Sequence, residues 1–312
     1  PGIAFGEWTK KNSTRSSKVY EAARSGDRLA LRQLFTVLVM NADIEVGLVF
    51  AQSHEKEAKL AALSALGAME LGERYGEVLD ILLQEASSKD EDIALRSLEA
   101  GYHAAALRKT VAPAGFDEQL ERILQTRNPF SIHLAVNLLW RHQISLTENA
   151  MKLCLDAAVD VAPDSVGTIS HLDYAAHQLV DAGHTEKVIC LLSKLFDRSK
   201  GQITLDAFQC TYHALQKAGP EVLGGAVVYW LLNGGMHTHQ CVANEVCGVG
   251  NDDPPFSIPT SSLPVEPLDQ LYLCRKAVGW FFIDPLAAVA ILLAVLRNGA
   301  SDIKKDVLDL LY

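Results

Sequence analysis

Apolar residues recur through most of the chain at the spacing of an α-helix with one buried face. In a helix, residues three, four and seven positions apart share one side, so these apolar stripes mark the face that packs into a core. No segment shows the sustained period-two alternation of a half-buried strand. Representative stripes are Leu31, Leu34, Phe35 and Leu38; Tyr75, Val78, Leu79 and Leu82; and Ile132, Ala135, Val136 and Leu139. The pattern predicts an all-α protein.

Residues typical of helix starts recur at a nearly constant interval. Candidate N-terminal caps are Ser53, Ser88, Asn128, Asp164 and Thr204, which lie 35, 40, 36 and 40 residues apart. Each interval has room for two helices and two turns. Repeats of about 35–45 residues built from a helix pair are typical of α-solenoids of the HEAT, armadillo and tetratricopeptide types. We therefore predict an irregular α-solenoid of stacked helical hairpins; the alternative is a helical bundle whose starts are evenly spaced by coincidence.

The regular pattern stops after about residue 232. Asn233-Gly234-Gly235 interrupts it, and five of the eleven prolines then fall between residues 254 and 267. Proline removes a backbone donor and clashes with the preceding helical turn, so we expect residues 248–267 to be non-helical. The chain ends inside a helical pattern, and we expect its last helix to continue beyond it. The predicted segments are a flexible basic arm (1–17), the solenoid (18–232), an irregular insertion or linker (233–267) and C-terminal helices (268–312).

Composition narrows the classes of partner. Hydrophobic residues make up 49% of the chain and charged residues 21%, which is enough for a large core. With 28 basic and 38 acidic side chains the net charge is −10, whereas general nucleic-acid binding favours a basic balance. Nucleic acid is therefore not an expected partner. The basic arm, with Lys10, Lys11, Arg15 and Lys18, suits phosphate contact, but a solvated tail explains it equally well.

Neither a membrane span nor a disulfide framework is expected. The longest apolar stretch, Pro285 to Leu296, has twelve residues, whereas a bilayer span needs about 20. It therefore predicts a buried core helix. The six cysteines form no compact set of spaced pairs, which indicates reduced thiols and a cytoplasmic location.

One short segment concentrates metal-ligating side chains: His237, His239, Cys241 and Cys247. Imidazole and thiolate groups are good zinc ligands, and four of them can close a tetrahedral site. The spacing matches no standard zinc finger, and ligands two positions apart need an extended backbone, because a helix would scatter them. The alternatives are a zinc site, structural or for metal-assisted hydrolysis, and ordinary loop or core residues.

Polar and aromatic residues three or four positions apart form a ladder on the second helix of each predicted hairpin. In a solenoid, one helix of each pair lines the concave surface, where such side chains suit recognition of a peptide or a partner helix. The alternative is an ordinary solvated helix face. Six further members are Arg96, Glu99, His133, Trp140, His171 and Gln209. The predicted partner-binding residues are Tyr102, His103, Asn137, Arg141, Tyr174, His177, Tyr212 and His213.

We find no sequence motif of a phosphate-binding loop, a serine-nucleophile turn or a zinc-protease helix. The sequence therefore predicts a non-enzymatic scaffold or adaptor, without a cofactor, that binds another protein or peptide along a concave helical surface. One alternative is a metal-binding domain or metal-assisted hydrolase that uses the His/Cys segment. Another is a small-molecule or lipid pocket around Trp280, Phe281 and Phe282.

Overall fold

The computed structural model describes residues 13–247, 257–282 and 285–311. Every regular element in these ranges is a helix, which confirms the prediction of an all-α protein. The chain divides into two compact units, residues 1–154 and 155–312. The division falls inside the segment 18–232 that the sequence assigned to one array.

The first unit is built from helices joined by short turns. Its α-helices are α1 (Ser13–Arg24), α2 (Arg28–Asn41), α3 (Ile44–Ala51), α4 (Lys56–Ala68), α5 (Tyr75–Ala86), α6 (Glu91–Leu107), α7 (Ala114–Leu124) and α8 (Pro129–Arg141). Each packs on the next helix or the next but one, as in the pairs α2–α4, α4–α6, α5–α7 and α6–α8. Helix α9 (Glu148–Ala158) spans the division.

The helix starts follow from local chemistry. The Asp27 side chain accepts a hydrogen bond from the Ala30 N–H, and the Asn128 side chain accepts one from Ser131, with proline in the first turn. Near the predicted cap Ser88, the capping side chain is instead Asp90, and the Ser88 hydroxyl accepts from the Asp90 N–H. That helix therefore begins two residues later than the sequence pattern indicated.

Helices α4 and α6 approach closely at a glycine. A Cβ atom at Gly67 would lie only 2.6 Å from the Cα of Ala100, so a side chain there would push the helices apart. The core between them is filled by fully buried residues such as Leu63, Leu66 and Leu98. This packing fixes the position of α6, whose other side borders the site described below.

The second unit contains the remaining helices of the described chain. They are α10 (Val166–Asp181), α11 (Thr185–Arg198), α12 (Gln209–Lys217), α13 (Pro220–Asn233), α14 (Met236–Cys247), α15 (Pro267–Val278), α16 (Pro285–Asn298) and α17 (Lys304–Asp309). Packing again joins near neighbours, including α10–α12, α11–α13, α13–α15 and α15–α16. Helix α16 buries Ile291, Leu292 and Val295, as expected for a core helix. No helix in the described ranges has both the length and the apolar character to cross a membrane.

Side chains that tie neighbouring helix pairs together are separated by a recurrent interval. The hydrogen-bonded pairs are Lys56–Asp92 (36 positions apart), Arg122–Ala86 (36), Asn128–Glu91 (37), Arg198–Asp160 (38), Thr211–Asp173 (38) and Gly235–Asp197 (38). These separations fall within the 35–40 residues between the predicted helix starts. Other hydrogen bonds between helices span different separations, such as Tyr20–Asp43 (23), Thr147–Asp117 (30) and Thr238–Ser193 (45).

Two predicted segment assignments need correction. Helix α1 begins at Ser13, so residues 13–17 are helical and do not belong to a flexible arm; residues 1–12 lie outside the described ranges. Helix α14 occupies the middle of the segment 233–267, which was expected to be irregular. Two backbone N–H groups at its start, those of Gly235 and Thr238, donate to the Asp197 carboxylate and stabilise this helix. Residues 248–256 are also outside the described ranges, and α15 begins at Pro267.

Candidate functional site

A groove of about 510 Å³ lies on the first unit, lined by α2, α4, α6 and the residues at the end of α8. Its polar side chains are Arg96, Glu99, His103, Arg141 and His142. Three large apolar side chains, Phe35, Leu107 and Ile144, also line it and are 40–58% exposed. The groove is thus a mixed polar and apolar surface, not a sealed core cavity.

Helix α6 supplies one polar wall. Arg96, Glu99 and His103 are spaced three and four positions apart and therefore share one face of the helix. Arg96 Nη1 lies 3.0 Å from Glu99 Oε2, so this arginine already has a carboxylate partner. The sequence predicted His103 and Arg141 as binding residues on successive hairpins, and the structure brings both to this groove.

The rings of His103 and His142 stack, with centroids 4.8 Å apart and planes inclined by 33°. His142 is only 6% exposed, and its Nδ1 has no hydrogen-bond partner among the described residues. Burial, followed by the proximity of His103 and Arg141, lowers the pKa of His142 to about 4. Burial also lowers the pKa of His103. Both imidazoles are therefore neutral near neutral pH, and one carries an unused buried polar atom.

Arg141 provides an uncompensated positive charge at the groove. Its guanidinium lies 4.5 Å from the centroid of the neighbouring Trp140 ring, an arrangement that holds the exposed side chain in place. In the described part of the chain, no acidic side chain forms an ion pair with Arg141. A planar guanidinium suits bidentate recognition of a carboxylate or phosphate.

Tyr102 was predicted to face the partner, and this expectation is wrong. Its side chain is fully buried, its hydroxyl donates to Asp117 Oδ1 at 3.0 Å, and its ring packs edge-on against Phe116. The Thr147 hydroxyl donates to the other carboxylate oxygen of Asp117. Successive helical residues are about 100° apart, so when His103 faces the groove Tyr102 faces the core.

The other predicted binding residues lie elsewhere. Asn137 is half-buried on α8, and its Nδ2 lies 3.1 Å from His133 Nε2, one turn away. In the second unit, Tyr174 and His177 lie on α10, and Tyr212 and His213 lie on α12, which packs against α10. Tyr174 and His213 are exposed, and His177 Nε2 lies 3.2 Å from Asp181 Oδ2. A binding role for these residues stays a prediction.

A buried carboxylate joins α10 to α12 in the second unit. Asp173 is 7% exposed and accepts hydrogen bonds from the Cys210 N–H (3.1 Å), the Thr211 N–H (2.9 Å) and the Thr211 hydroxyl (2.7 Å). These donors belong to the first turn of α12, whose N–H groups lack helical partners. Asp173 therefore acts as a cap supplied by another helix, and all of its observed contacts are structural.

The His/Cys segment forms helix α14, and its side chains have separate surroundings. His239 Nε2 lies 3.2 Å from the Leu231 carbonyl oxygen, and burial lowers the pKa of His239. The Cys241 thiol donates to the Ile203 carbonyl at 3.7 Å, and burial raises the pKa of this thiol to about 11. His237 lies beside Gly201, and the Cys247 side chain is outside the described part of the structure. The extended backbone that the zinc hypothesis needs is not formed, and among described residues no three His, Cys, Asp or Glu side chains could hold a metal ion together.

Sequence analysis missed His142 and the apolar wall of the groove. His142 follows the last residue of α8, where helical periodicity no longer predicts direction. Phe35 was assigned to the buried stripe of α2, and this assignment is wrong: Leu31, Leu34 and Leu38 already complete the stripe, and Phe35 is 40% exposed. An additional aromatic residue beside a complete stripe is a candidate for the exposed surface.

No protein-family model matches this chain, and a search of curated proteins finds no match either.

Proposed function

We propose that this chain is a non-catalytic scaffold or adaptor, built as an irregular α-solenoid, whose first-unit groove receives a segment of a partner protein. One observation carries the proposal: predicted residues from two hairpins, His103 and Arg141, line one groove together with a buried histidine whose Nδ1 has no partner among described residues. Buried polar atoms without partners are costly in a folded protein, and they recur at sites where a ligand supplies the missing partner.

The pattern of helix contacts supports the repeat part of the proposal. Within each unit the helices pack mainly on near neighbours in the sequence. Six of the hydrogen bonds between helix pairs span 36–38 positions, close to the interval between predicted helix starts. Stacked hairpins make such ties because each unit buries its apolar face only against the next.

The side chains of the groove support binding more than catalysis. Ser64 lines the groove, but its hydroxyl donates to the Leu60 carbonyl oxygen at 2.9 Å, so its proton is directed at a backbone oxygen and not at a basic side chain. The stacked histidines are neutral, and exposed apolar side chains lie beside an arginine. Arginine and aromatic anchors with apolar neighbours are typical of protein–protein contact surfaces.

Site-specific photo-crosslinking tests this proposal. A photoreactive amino acid placed at Leu107, in the groove, is expected to capture a partner from an extract of the native host. The same group at Phe130, which is exposed but does not line the groove, is the matched control and is expected not to capture it.

The captured partner is then purified and titrated against variants. Truncation of a central arginine at an interface typically weakens binding by about 5–100-fold, and we expect this for Arg141→Ala. Arg28→Ala removes an exposed arginine outside the groove and is expected to leave affinity unchanged. Equal capture at the two positions, or equal affinity of the two arginine variants, would refute the proposed function.

A further inference from the structure

The groove is lined by more positively charged than negatively charged side chains. Two arginines, Arg96 and Arg141, face one carboxylate, Glu99, and that carboxylate pairs with Arg96. Arg141 has its guanidinium against Trp140 and no acidic partner among the described residues. The groove therefore has one positive charge available for a ligand anion.

His142 adds a second, independent feature of the groove, a buried polar atom without a partner among the described residues. It is more than nine-tenths buried, lines the same groove, and its Nδ1 is unpartnered among the described residues. A neutral imidazole that carries its proton on Nδ1 is a hydrogen-bond donor, and a carboxylate oxygen is the acceptor that matches it. His142 and Arg141 both line the groove, and the Arg141 charge is close enough to contribute to the lowered pKa of His142.

The apolar wall restricts the ligand further. Phe35, Leu107 and Ile144 are exposed in the same groove, and their burial on binding would be favourable. A small hydrophilic anion would leave this surface uncovered. A ligand that contacts both the Arg141 guanidinium and the apolar wall carries a carboxylate next to an apolar side chain.

We infer that the groove binds an acidic–apolar segment of a partner polypeptide, with an Asp or Glu carboxylate held by Arg141 and His142 and a neighbouring apolar side chain packed against Phe35, Leu107 and Ile144. This inference rests on the proposed function and names the class of ligand. The net charge of −10 does not oppose it, because charges further away than about 8 Å are largely screened at physiological ionic strength.

Selection of random displayed peptides on the full chain tests the inference. Clones that also bind the variant Ala106→Trp, which fills the groove, are removed by counter-selection. Leu107→Asp changes an exposed side chain of the same groove and serves as a second blocking variant if the first does not fold. We expect the remaining peptides to share an Asp or Glu beside an aromatic or aliphatic residue.

Charge reversal then tests the contact itself. Hydrogen bonds to charged groups are strong enough that Arg141→Glu is expected to weaken a selected peptide by at least about tenfold. Replacing the acidic peptide residue with Lys is expected to restore binding to Arg141→Glu and to abolish binding to the native chain. Arg28→Glu, an exposed charge reversal outside the groove, is expected to change neither interaction.

The possible failures are distinguishable. Selected peptides that lose binding to the blocking variants but share no acidic residue would overturn the acidic ligand class and leave the proposed function standing. Selected peptides that bind Arg141→Glu as tightly as the native chain would do the same. If no selected peptide is sensitive to either blocking variant, the groove is not a peptide-binding site, and the proposed function fails with the inference.

Discussion

The two units each contain a buried polar side chain at a helix junction, and the two side chains differ in their bonding. Asp173 in the second unit is 7% exposed, and its carboxylate accepts three hydrogen bonds from the first turn of α12. His142 in the first unit is 6% exposed, and its Nδ1 has no partner among described residues. Burial alone therefore does not distinguish a structural polar group from a candidate binding group.

Asp173 and His142 contribute to the free energy of unfolding with opposite sign. A buried polar group whose bonds are satisfied stabilises the fold, whereas an unsatisfied one costs about 1–3 kcal/mol of desolvation. Asp173 belongs to the first class, and its loss should harm folding. His142 belongs to the second class, and we attribute its presence to ligand binding.

The largest expected effect is on Asp173. Asp173→Ala should lower the free energy of unfolding by about 3–5 kcal/mol, because it leaves the N–H groups of Cys210 and Thr211 without their carboxylate acceptor. Urea denaturation measures this loss. Asp181→Ala on the same helix removes an exposed carboxylate and should cost at most about 1 kcal/mol. Equal losses in the two variants would show that Asp173 is not a structural cap.

The next effect is a pH dependence that originates from His142. Its pKa in the folded protein is about 4, below the ordinary value of 6.5, so the unfolded chain takes up this proton first as pH falls. The contribution is fully present above pH 6.5 and is lost between about pH 6.5 and pH 4. The titratable and charged groups that face His142 are His103, Glu99 and Arg141, and all three are retained when His142 alone is replaced.

His142→Phe should remove that part of the pH dependence. At the acid end of this range, the native chain should have lost about 3 kcal/mol more stability than the variant, relative to neutral pH. Urea denaturation of the native chain and of His142→Phe, each at neutral pH and at about pH 4, measures this difference in stability. Parallel pH profiles would mean that His142 is protonated as easily in the folded chain as in the unfolded chain.

A smaller effect on stability is expected to distinguish the buried face of α6 from the face that lines the groove. Tyr102→Phe deletes the hydroxyl that donates to Asp117 and should lower the free energy of unfolding by about 1 kcal/mol, while the affinity for a groove-dependent peptide stays unchanged. Its neighbour His103 lines the groove, and His103→Ala should weaken that peptide. Thermal denaturation and peptide titration on the same two variants measure both effects. A weaker peptide with Tyr102→Phe would contradict the assignment of Tyr102 to the core.

Much of the fold was predictable because its signals are local. The all-α class and the cap at Asn128 depend on residues adjacent in sequence, as does the return to helix at Pro267, one residue before the predicted boundary at 268. Helical spacing likewise assigned both His103 and Arg141 to the predicted partner-binding residues. It could not tell whether Tyr102 or His103 faces the core, because both are amphipathic and adjacent.

The features that were not predictable depend on distant residues. Helix α14 is stabilised at its start by Asp197, which lies 38 positions before Gly235. Gly234-Gly235 and the prolines between residues 254 and 267 therefore gave a misleading local signal. His142 acquires its significance only from the His103 ring of another helix and from burial by the surrounding residues. Neither relationship leaves a pattern at helical or strand spacing.

Whether His142 serves ligand binding or folding is tested most directly by measuring two quantities on His142→Phe. The variant keeps an aromatic ring against His103 but removes the unpartnered nitrogen, so its free energy of unfolding at neutral pH should rise by about 1 kcal/mol. Its affinity for a groove-selected acidic peptide should fall by about tenfold, because the carboxylate loses a donor. A variant that is less stable than the native chain and binds the peptide with unchanged affinity would contradict the account.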